Sequence, residues 1–343
     1  MRKEQFGRFL TMMLVFTGLT FVAFYFHITN GAFDMSVMDV VKTMLRIDPN
    51  EKHDLVIFEF RLPRIVIAAL VGIGLGMAGT VIQGVTRNGL ADPGILGINA
   101  GAGASIVIFM FFFQMSSNNL TDDSWSSILM MPLFGFVGGA VAAGLIYLFS
   151  WRNGVLDMQR LILTGIAISS GFGALSLYIS LKMNASDYEM AAVWIAGSIY
   201  SANWSFVLSM LPWIVILGYV IYRKSHLLDY FQLEEASAKS LGISVEKEKS
   251  ILLLSSVGIV SACVSVSGGI GFIGLMAPHI AKRLVGIQHR FVLPMSAMIG
   301  MFLLVFSDYI AKTVFEPSEL PVGIVVSIIG IPYFLYLLVK SRA

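Results

Sequence analysis

The chain has 343 residues, 57% of them hydrophobic and only 13% charged, with a net charge of +2. Soluble domains carry about 25% charged residues, so this composition excludes a soluble globular protein, and the small net charge gives no footing for nucleic acid. The single cysteine, Cys263, excludes an intrachain disulfide framework.

In chain order, Met1–Arg8 followed by the apolar run Phe9–Ile28 has the outline of a secretory leader. The run exceeds a typical leader core and no small-residue cleavage site closes it, so it is read as the first span. Nine further apolar segments follow near Ile65–Thr86, Ile95–Gln114, Ile128–Ser150, Leu161–Leu181, Trp204–Tyr222, Ser250–Ser267, Ile270–Ala281, Phe291–Ala311 and Pro321–Val339. The expectation is an all-α polytopic membrane protein, one domain over residues 1–343, with about ten transmembrane helices. With the N-terminus inside, sixteen of the 23 basic residues fall in cytoplasmic stretches, which orients both termini to the cytoplasm. The exterior loop Ser116–Trp125 carries no basic residue and agrees with that orientation.

Ten spans divide into five plus five, and an odd offset inverts one half relative to the other. Residues 72–103 and 258–286 are both glycine-rich, contain a proline and occupy the second and third spans of their halves. The second of these regions runs into Lys282, Arg283, His289 and Arg290, a cationic cluster that prefers the cytoplasmic side. Its glycines, among them Gly271 and Gly274, and its Pro278-His279 pair free backbone groups that hydrocarbon cannot satisfy. The segment must therefore pack against protein or line a wet cavity.

Ionisable residues inside the spans are scarce. His279 and Asp308 lie in or near apolar segments, and Asp308 stands four residues before Lys312, where the two can pair on one helix face. A stand-alone ion-coupled transporter needs more buried charge. The chain also lacks a phosphate-binding loop of the G-x-x-x-x-G-K-[ST] kind, so ATP hydrolysis belongs to a separate subunit. The polar stretch Arg223–Lys249 can receive one. Within it, L-L-D-Y-F-Q-L-E-E-A-S-A-K-S-L-G-I-S at Leu227–Ser244 reads as a short helix with Leu233, Ala236 and Leu241 on an apolar side, Glu234 and Glu235 on a charged side, and Gly242 as its stop.

Several motifs in fixed order resemble the permeases of iron-siderophore and cobalamin ABC importers, the FecCD type. They are R-L-P-R at Arg61–Arg64, the run Gly76–Gly103 containing N-G-L-A-D-P-G, W-I-A-G-S at Trp194–Ser198 and E-A-S-A-K-S-L-G at Glu235–Gly242. G-F-I-G-L-M-A-P-H-I-A-K-R at Gly271–Arg283, L-P-V-G-I-V at Leu320–Val325 and G-I-P-Y-F-L at Gly330–Leu335 complete the set. The resemblance implies a permease of the bacterial cytoplasmic membrane, paired with an identical or related permease chain. Its other partners would be cytoplasmic ATPase subunits, which hold the ATP and magnesium, and an extracytoplasmic binding protein; the permease itself binds no cofactor and is no enzyme.

The resemblance also assigns roles to residues. Glu234, Glu235, Ala236, Leu241 and Gly242, within a coupling region of about 225–249, would meet the ATPase. Arg61, Arg64 and Lys312 would dock the binding protein, with Lys312 where cobalamin permeases have arginine. Asn88 and Leu90 would gate the cytoplasmic side, with Met158 and Gln159 as a second gate position, and Gly89 replaces the usual proline of that loop. Gly271, Gly274, Pro278 and His279 would support the pathway, His279 by packing or hydrogen bonding. Ferric siderophore is the expected cargo, with haem or cobalamin as the alternative within the same machine and a secondary transporter as the remote one.

Overall fold

The computed structural model describes residues 2–341 except 32, 34, 48–49, 117–124, 153–154, 234–236, 238–239, 241 and 316–317. In chain order its helices are α1 (Arg2–Thr29), α2 (Val37–Met44), α3 (Glu51–Thr86), α4 (Ile98–Ser116), α5 (Trp125–Ser150) and α6 (Met158–Ser180). They continue as α7 (Ala185–Ile195), α8 (Trp204–Tyr230), α9 (Val245–Ser267), α10 (Ile273–Val285), α11 (His289–Thr313) and α12 (Val322–Ser341). A two-residue antiparallel hairpin, Trp151–Arg152 with Val155–Leu156, joins α5 to α6.

Eight of these helices are long and apolar enough to cross a membrane: α1, α3, α5, α6, α8, α9, α11 and α12. The apolar part of α4, Ile98–Phe112, is shorter. The 13 residues of α10 rise only about 20 Å, less than a bilayer core. Every predicted apolar segment falls on one of these ten helices.

Three elements were not expected from the sequence. Ser36 and Asp39 close a reciprocal capping box on α2, a helix too short to register in a search for spans. The hydrogen bonds from Ser36 hold the Asp39 carboxyl below the usual carboxylate range. α3 begins at Glu51, well before Ile65, through a π-helical turn at Leu55–Arg61. α7 is set off by an Asn184 side chain capping the Asp187 N–H and by Gly197, whose φ is +82°. Conversely, the polar stretch taken to start at Arg223 begins inside α8, which continues to Tyr230 because Ser225 and Leu228 are buried there.

α3 and α9 form the centre, each about 72% buried over its apolar window, whereas α1 and α6 are 6% and 11% buried and lie at the periphery. α3 packs against α9, α10 and α11, and its glycines make the close approach possible. A Cβ on Gly72 would strike the Gly300 carbonyl, one on Gly76 the Ser296 carbonyl, and one on Gly79 the Gly274 carbonyl, all backbone atoms. Small residues at such spacing let helix backbones touch where hydrocarbon offers no hydrophobic drive.

These contacts set depth. Gly79 lies fifteen residues along α3 from Arg64, about 22 Å down the helix axis. Gly274, at the start of α10, therefore packs at that level of α3, and so does Pro93, whose ring touches the space beside Gly274. The stretch between α3 and α4 thus folds back against the bundle.

Candidate functional site

Three polar clusters punctuate the apolar bundle. At one end of the bundle, Asp308 of α11 accepts two bonds from Arg64 of α3, Nε to Oδ2 at 2.8 Å and Nη2 to Oδ1 at 2.9 Å. His27 of α1 reaches the same carboxylate from Nε2 at 2.7 Å. Arg64 also donates from Nη1 to Glu319 at 2.6 Å. Charge-assisted, bidentate pairs of this kind are the strongest polar contacts available to a protein.

The expected Asp308–Lys312 pair on one helix face does not form. Asp308 turns to Arg64 and His27 on neighbouring helices, and the Lys312 ammonium donates to the Asn30 carbonyl at 2.9 Å. Arg61 donates to the carbonyls of Ile28 and Phe33. Arg61, Arg64 and Lys312, read as docking cations, are thus 5%, 9% and 8% exposed and hold the turn after α1 to α3 and α11. Of the carboxylates in this cluster, Glu319 is the more accessible, its side chain 27% exposed against 1% for Asp308.

The middle cluster joins two chain breaks. The Asn88 side chain accepts the Leu90 N–H at 3.0 Å, an Asx turn that opens the 88–94 loop. Asp92 then caps the short 3-10 turn Pro93–Leu96 by accepting the Gly94 N–H at 2.9 Å. Its second oxygen accepts the Phe272 N–H at 3.0 Å and so caps α10 from 180 residues away. Phe272 has no side-chain cap of its own and sits at φ +64°, a left-handed conformation costing about 1–2 kcal/mol for a residue with a Cβ. Its ring fills the space beside Gly330 of α12, where a Cβ would collide with it.

Beside this junction a second one gathers three of the sequence motifs. Gly268, at φ +68°, lies under the Trp194 carbonyl, where any Cβ would overlap it. The Gly323 N–H donates to the Gly197 carbonyl at 2.9 Å. Residues from W-I-A-G-S, G-G-I-G and L-P-V-G therefore meet at one point, although more than 70 residues separate the first two in sequence.

A third cluster ties helix ends together at the opposite end of the bundle from Asp308. Gln83, buried on α3, donates to the Leu275 carbonyl and accepts from Lys282, both at 3.2 Å. Gln232 donates to the Gly84 carbonyl at 3.1 Å, and Arg87 to the Leu233 carbonyl. Asp229, at the end of α8, accepts both the backbone N–H of His289 at 3.0 Å and its ring Nδ1 at 2.6 Å, capping α11.

The remaining predicted residues fall as follows. Asn88 is exposed and Leu90 half-buried. Met158 and Gln159 begin α6, capped by the Asp157 carboxylate. They lie apart from the 88–97 turn, which packs two turns further along α6 at Gly165 and Ser169. Gly271 faces open space, while Gly274 and Pro278 are buried in α10. His279 packs edge-on against Tyr333 at 5.9 Å, its Nε2 without a hydrogen-bond partner. Gly242 is exposed at φ +79° with nothing near an added Cβ, whereas Glu234, Glu235, Ala236 and Leu241 lie outside the described residues, as does most of the Ser116–Trp125 loop.

Sequence reasoning missed Asp92, Phe272, His27 and Asp229. Asp92 and Phe272 stood inside quoted motifs, but only the fold reveals that they bond to each other. Two cavities flank α7. One of about 520 Å³ is lined by Asn99, Ser176, Tyr188 and Trp194, and one of about 480 Å³ by Met110, Met131, Met190, Tyr200 and Phe206. Among the described residues neither is lined by a cation, and the second includes the Glu189 carboxylate. No cluster of three metal-ligating side chains occurs among the described residues.

The FecCD transport family model matches residues 19–340. The chain is 52% identical over 328 residues to the iron-uptake system permease protein FeuC of Bacillus subtilis (strain 168), covering 96% of this chain and 97% of that one. It is 44% identical over 340 residues to the iron(3+)-hydroxamate import system permease protein FhuG of the same organism, covering 99% and 100%. Among solved structures it is similar to an inward-facing conformation of a transporter described as metal-chelate type ABC, with a TM-score of 0.81, 26% identity and coverage of 97% and 99%.

Proposed function

Because the chain belongs to the FecCD transport family, we propose that it is the transmembrane permease of a binding-protein-dependent ABC importer for ferric siderophore. The observation that carries this reading is the end-to-end match to permeases named for iron uptake and for iron(3+)-hydroxamate import. The chain supplies a pathway across the bacterial cytoplasmic membrane, a separate ATPase supplies the energy, and a second permease chain completes the pathway.

The architecture fits that role. A relay of buried ionisable groups along the bundle, which ion coupling demands, is not what these residues build. Apart from Asp92, the buried charges gather at the two ends of the bundle, and the walls around α7 carry methionine, serine and aromatic side chains, with Glu189 on one of them, suited to a bulky ferric chelate.

Ten membrane-inserted helices with both termini cytoplasmic are the topology we adopt, counting α4 and α10 as partial crossings that begin within the layer. The five-plus-five inverted repeat gains support from these breaks. α3 runs inward, breaks at 88–97 and continues as the shorter α4, whereas α9 runs outward, breaks at 268–272 and continues as the short α10. Opposed half-helices at mid-membrane are a recurring device of inverted-repeat transporters.

The 88–94 loop is read as the cytoplasmic gate, and the segment after Tyr230, pinned to the end of α3 through Gln232 and Leu233, as the part that receives the ATPase. At the outer end, Arg61, Arg64 and Lys312 are the docking cations of this reading. Since they already hold internal partners, a docking carboxylate reaches Arg64 in competition with Glu319.

Deleting the gene tests the cargo. Uptake of radiolabelled iron is then lost for one or more chelates among ferric hydroxamate, ferric catecholate and ferric citrate, and returns with the intact gene. Undiminished uptake of all three would overturn the siderophore assignment, and loss of haem or cobalamin uptake in their place would move the cargo to those ligands.

A further inference from the structure

Asp92 is a carboxyl group enclosed within the bundle, and no cation pairs with it among the described residues. What holds it is a pair of backbone N–H groups, from Gly94 at 2.9 Å and Phe272 at 3.0 Å. The two donors begin two different elements, the Pro93–Leu96 turn and α10, so one carboxyl group bridges the two chain breaks. A buried charge without a counter-ion is costly, and an uncharged side chain could cap one turn more cheaply. Both oxygens are used here, one on each side of the junction.

Three further features make the same junction one body. The Pro93 ring closes against Gly274, where no side chain could fit. Phe272 holds a left-handed conformation that only its surroundings can enforce. Its ring is seated against Gly330 of α12. The far end of α10 is also tied down. It stops at Gly286, three residues before His289, and His289 is held by Asp229 at the end of α8.

α10 is thus fastened at both ends, to the cytoplasmic end of α8 by way of His289 and to the 88–94 loop by way of Asp92. We infer that Asp92 is a positioning residue that makes the 88–94 loop move together with α10, so that displacement of the cytoplasmic end of α8 is delivered to the loop. This inference rests on the reading of 88–94 as the cytoplasmic gate. Asp92 touches no cargo in this account, and its effect is on the loop alone.

The test reads the loop directly. Gly89 is exposed, lacks a left-handed φ and has nothing within 4 Å of an added Cβ, so Gly89→Cys in a Cys263→Ser background reports accessibility without strain. The assembled complex in inside-out vesicles is labelled with a membrane-impermeant maleimide, with and without ATP. With Asp92 present, ATP changes the labelling rate at residue 89. In Asp92→Ala the ATP-dependent change falls at least about fivefold, the lower range of a typical coupling between sites. Asp92→Asn, which keeps the shape and one acceptor oxygen, retains part of it.

Assembly is checked by co-purification of the ATPase, and Asp92→Asn carries the test should Asp92→Ala not assemble. An unchanged ATP response in both variants, with a clear response in the parent, would overturn the role of Asp92 and leave the gate in place. No response in the parent would overturn the gate and this inference with it.

Discussion

Asp308→Ala destabilises the permease by about 3–5 kcal/mol, the range for removing one partner of a buried ion pair. The Asp308 side chain is 1% exposed, and its loss leaves the Arg64 guanidinium with only Glu319 and leaves His27, fully buried, with no hydrogen-bond partner on either ring nitrogen. Three helices, α1, α3 and α11, lose their common tie at the outer end. The measurement is the thermal midpoint and yield of purified, detergent-solubilised permease. A double change, Arg64→Met with Asp308→Leu, removes both charges together and recovers part of the loss, because replacing a whole buried pair with apolar volume is often neutral. Stability of Asp308→Ala equal to that of the parent would contradict the assignment of this cluster as the outer clasp of the bundle.

Gly79→Val has an effect of similar size by a different route. Its new Cβ lands on the Gly274 carbonyl, a backbone group with no rotamer to yield, so α3 and α10 must separate along their length. Overpacking in a core costs typically about 1–3 kcal/mol when side chains can adjust, and here they cannot. Separation also pulls Pro93 from Gly274 and breaks the Gln83 bonds to Leu275 and Lys282. The expected result is failure to accumulate in the membrane, with Gly144→Val as the control, since nothing lies within 4 Å of a Cβ there. Normal accumulation of Gly79→Val would show that the two backbones do not approach as closely as described.

How much of this was legible in the sequence follows from the physics of each element. Long apolar segments announce themselves because hydrocarbon must be matched over some 20 residues, and all ten fell on helices. α2 and α7 stayed hidden because their signals are caps and a few buried side chains, Val40 and Thr43 in one, Ala191 and Trp194 in the other. The motifs were visible as strings, but their meaning was spatial. Gly268 looked like one glycine of an irregular run; in the fold it is the position where only hydrogen fits under the Trp194 carbonyl.

Charges were the least legible feature. Asp308 and Lys312 stand four apart on one helix, a spacing that favours pairing on an exposed surface. Inside a bundle, the side chain with the better geometry wins, and Arg64 offers two parallel donors to both carboxylate oxygens. Lys312, a single point donor, takes the carbonyl of Asn30. Arg61 and Arg64 were expected at the mouth of a span; in the fold α3 extends back to Glu51, and no local pattern could tell that their fork-shaped heads turn inward. Asp92 is the sharpest case, since nothing in N-G-L-A-D-P-G indicates a partner 180 residues away.

The central claim is that this chain is a passive pathway opened by a separate ATPase, and reconstitution tests it most directly. The permease is placed in proteoliposomes with its ATPase, and ferric siderophore is presented on its binding protein at the outer face. Radiolabelled iron accumulates only when ATP is supplied to the ATPase side, and imposed proton or sodium gradients do not replace it. Accumulation by the permease alone, driven by such a gradient and indifferent to ATP, would contradict the account.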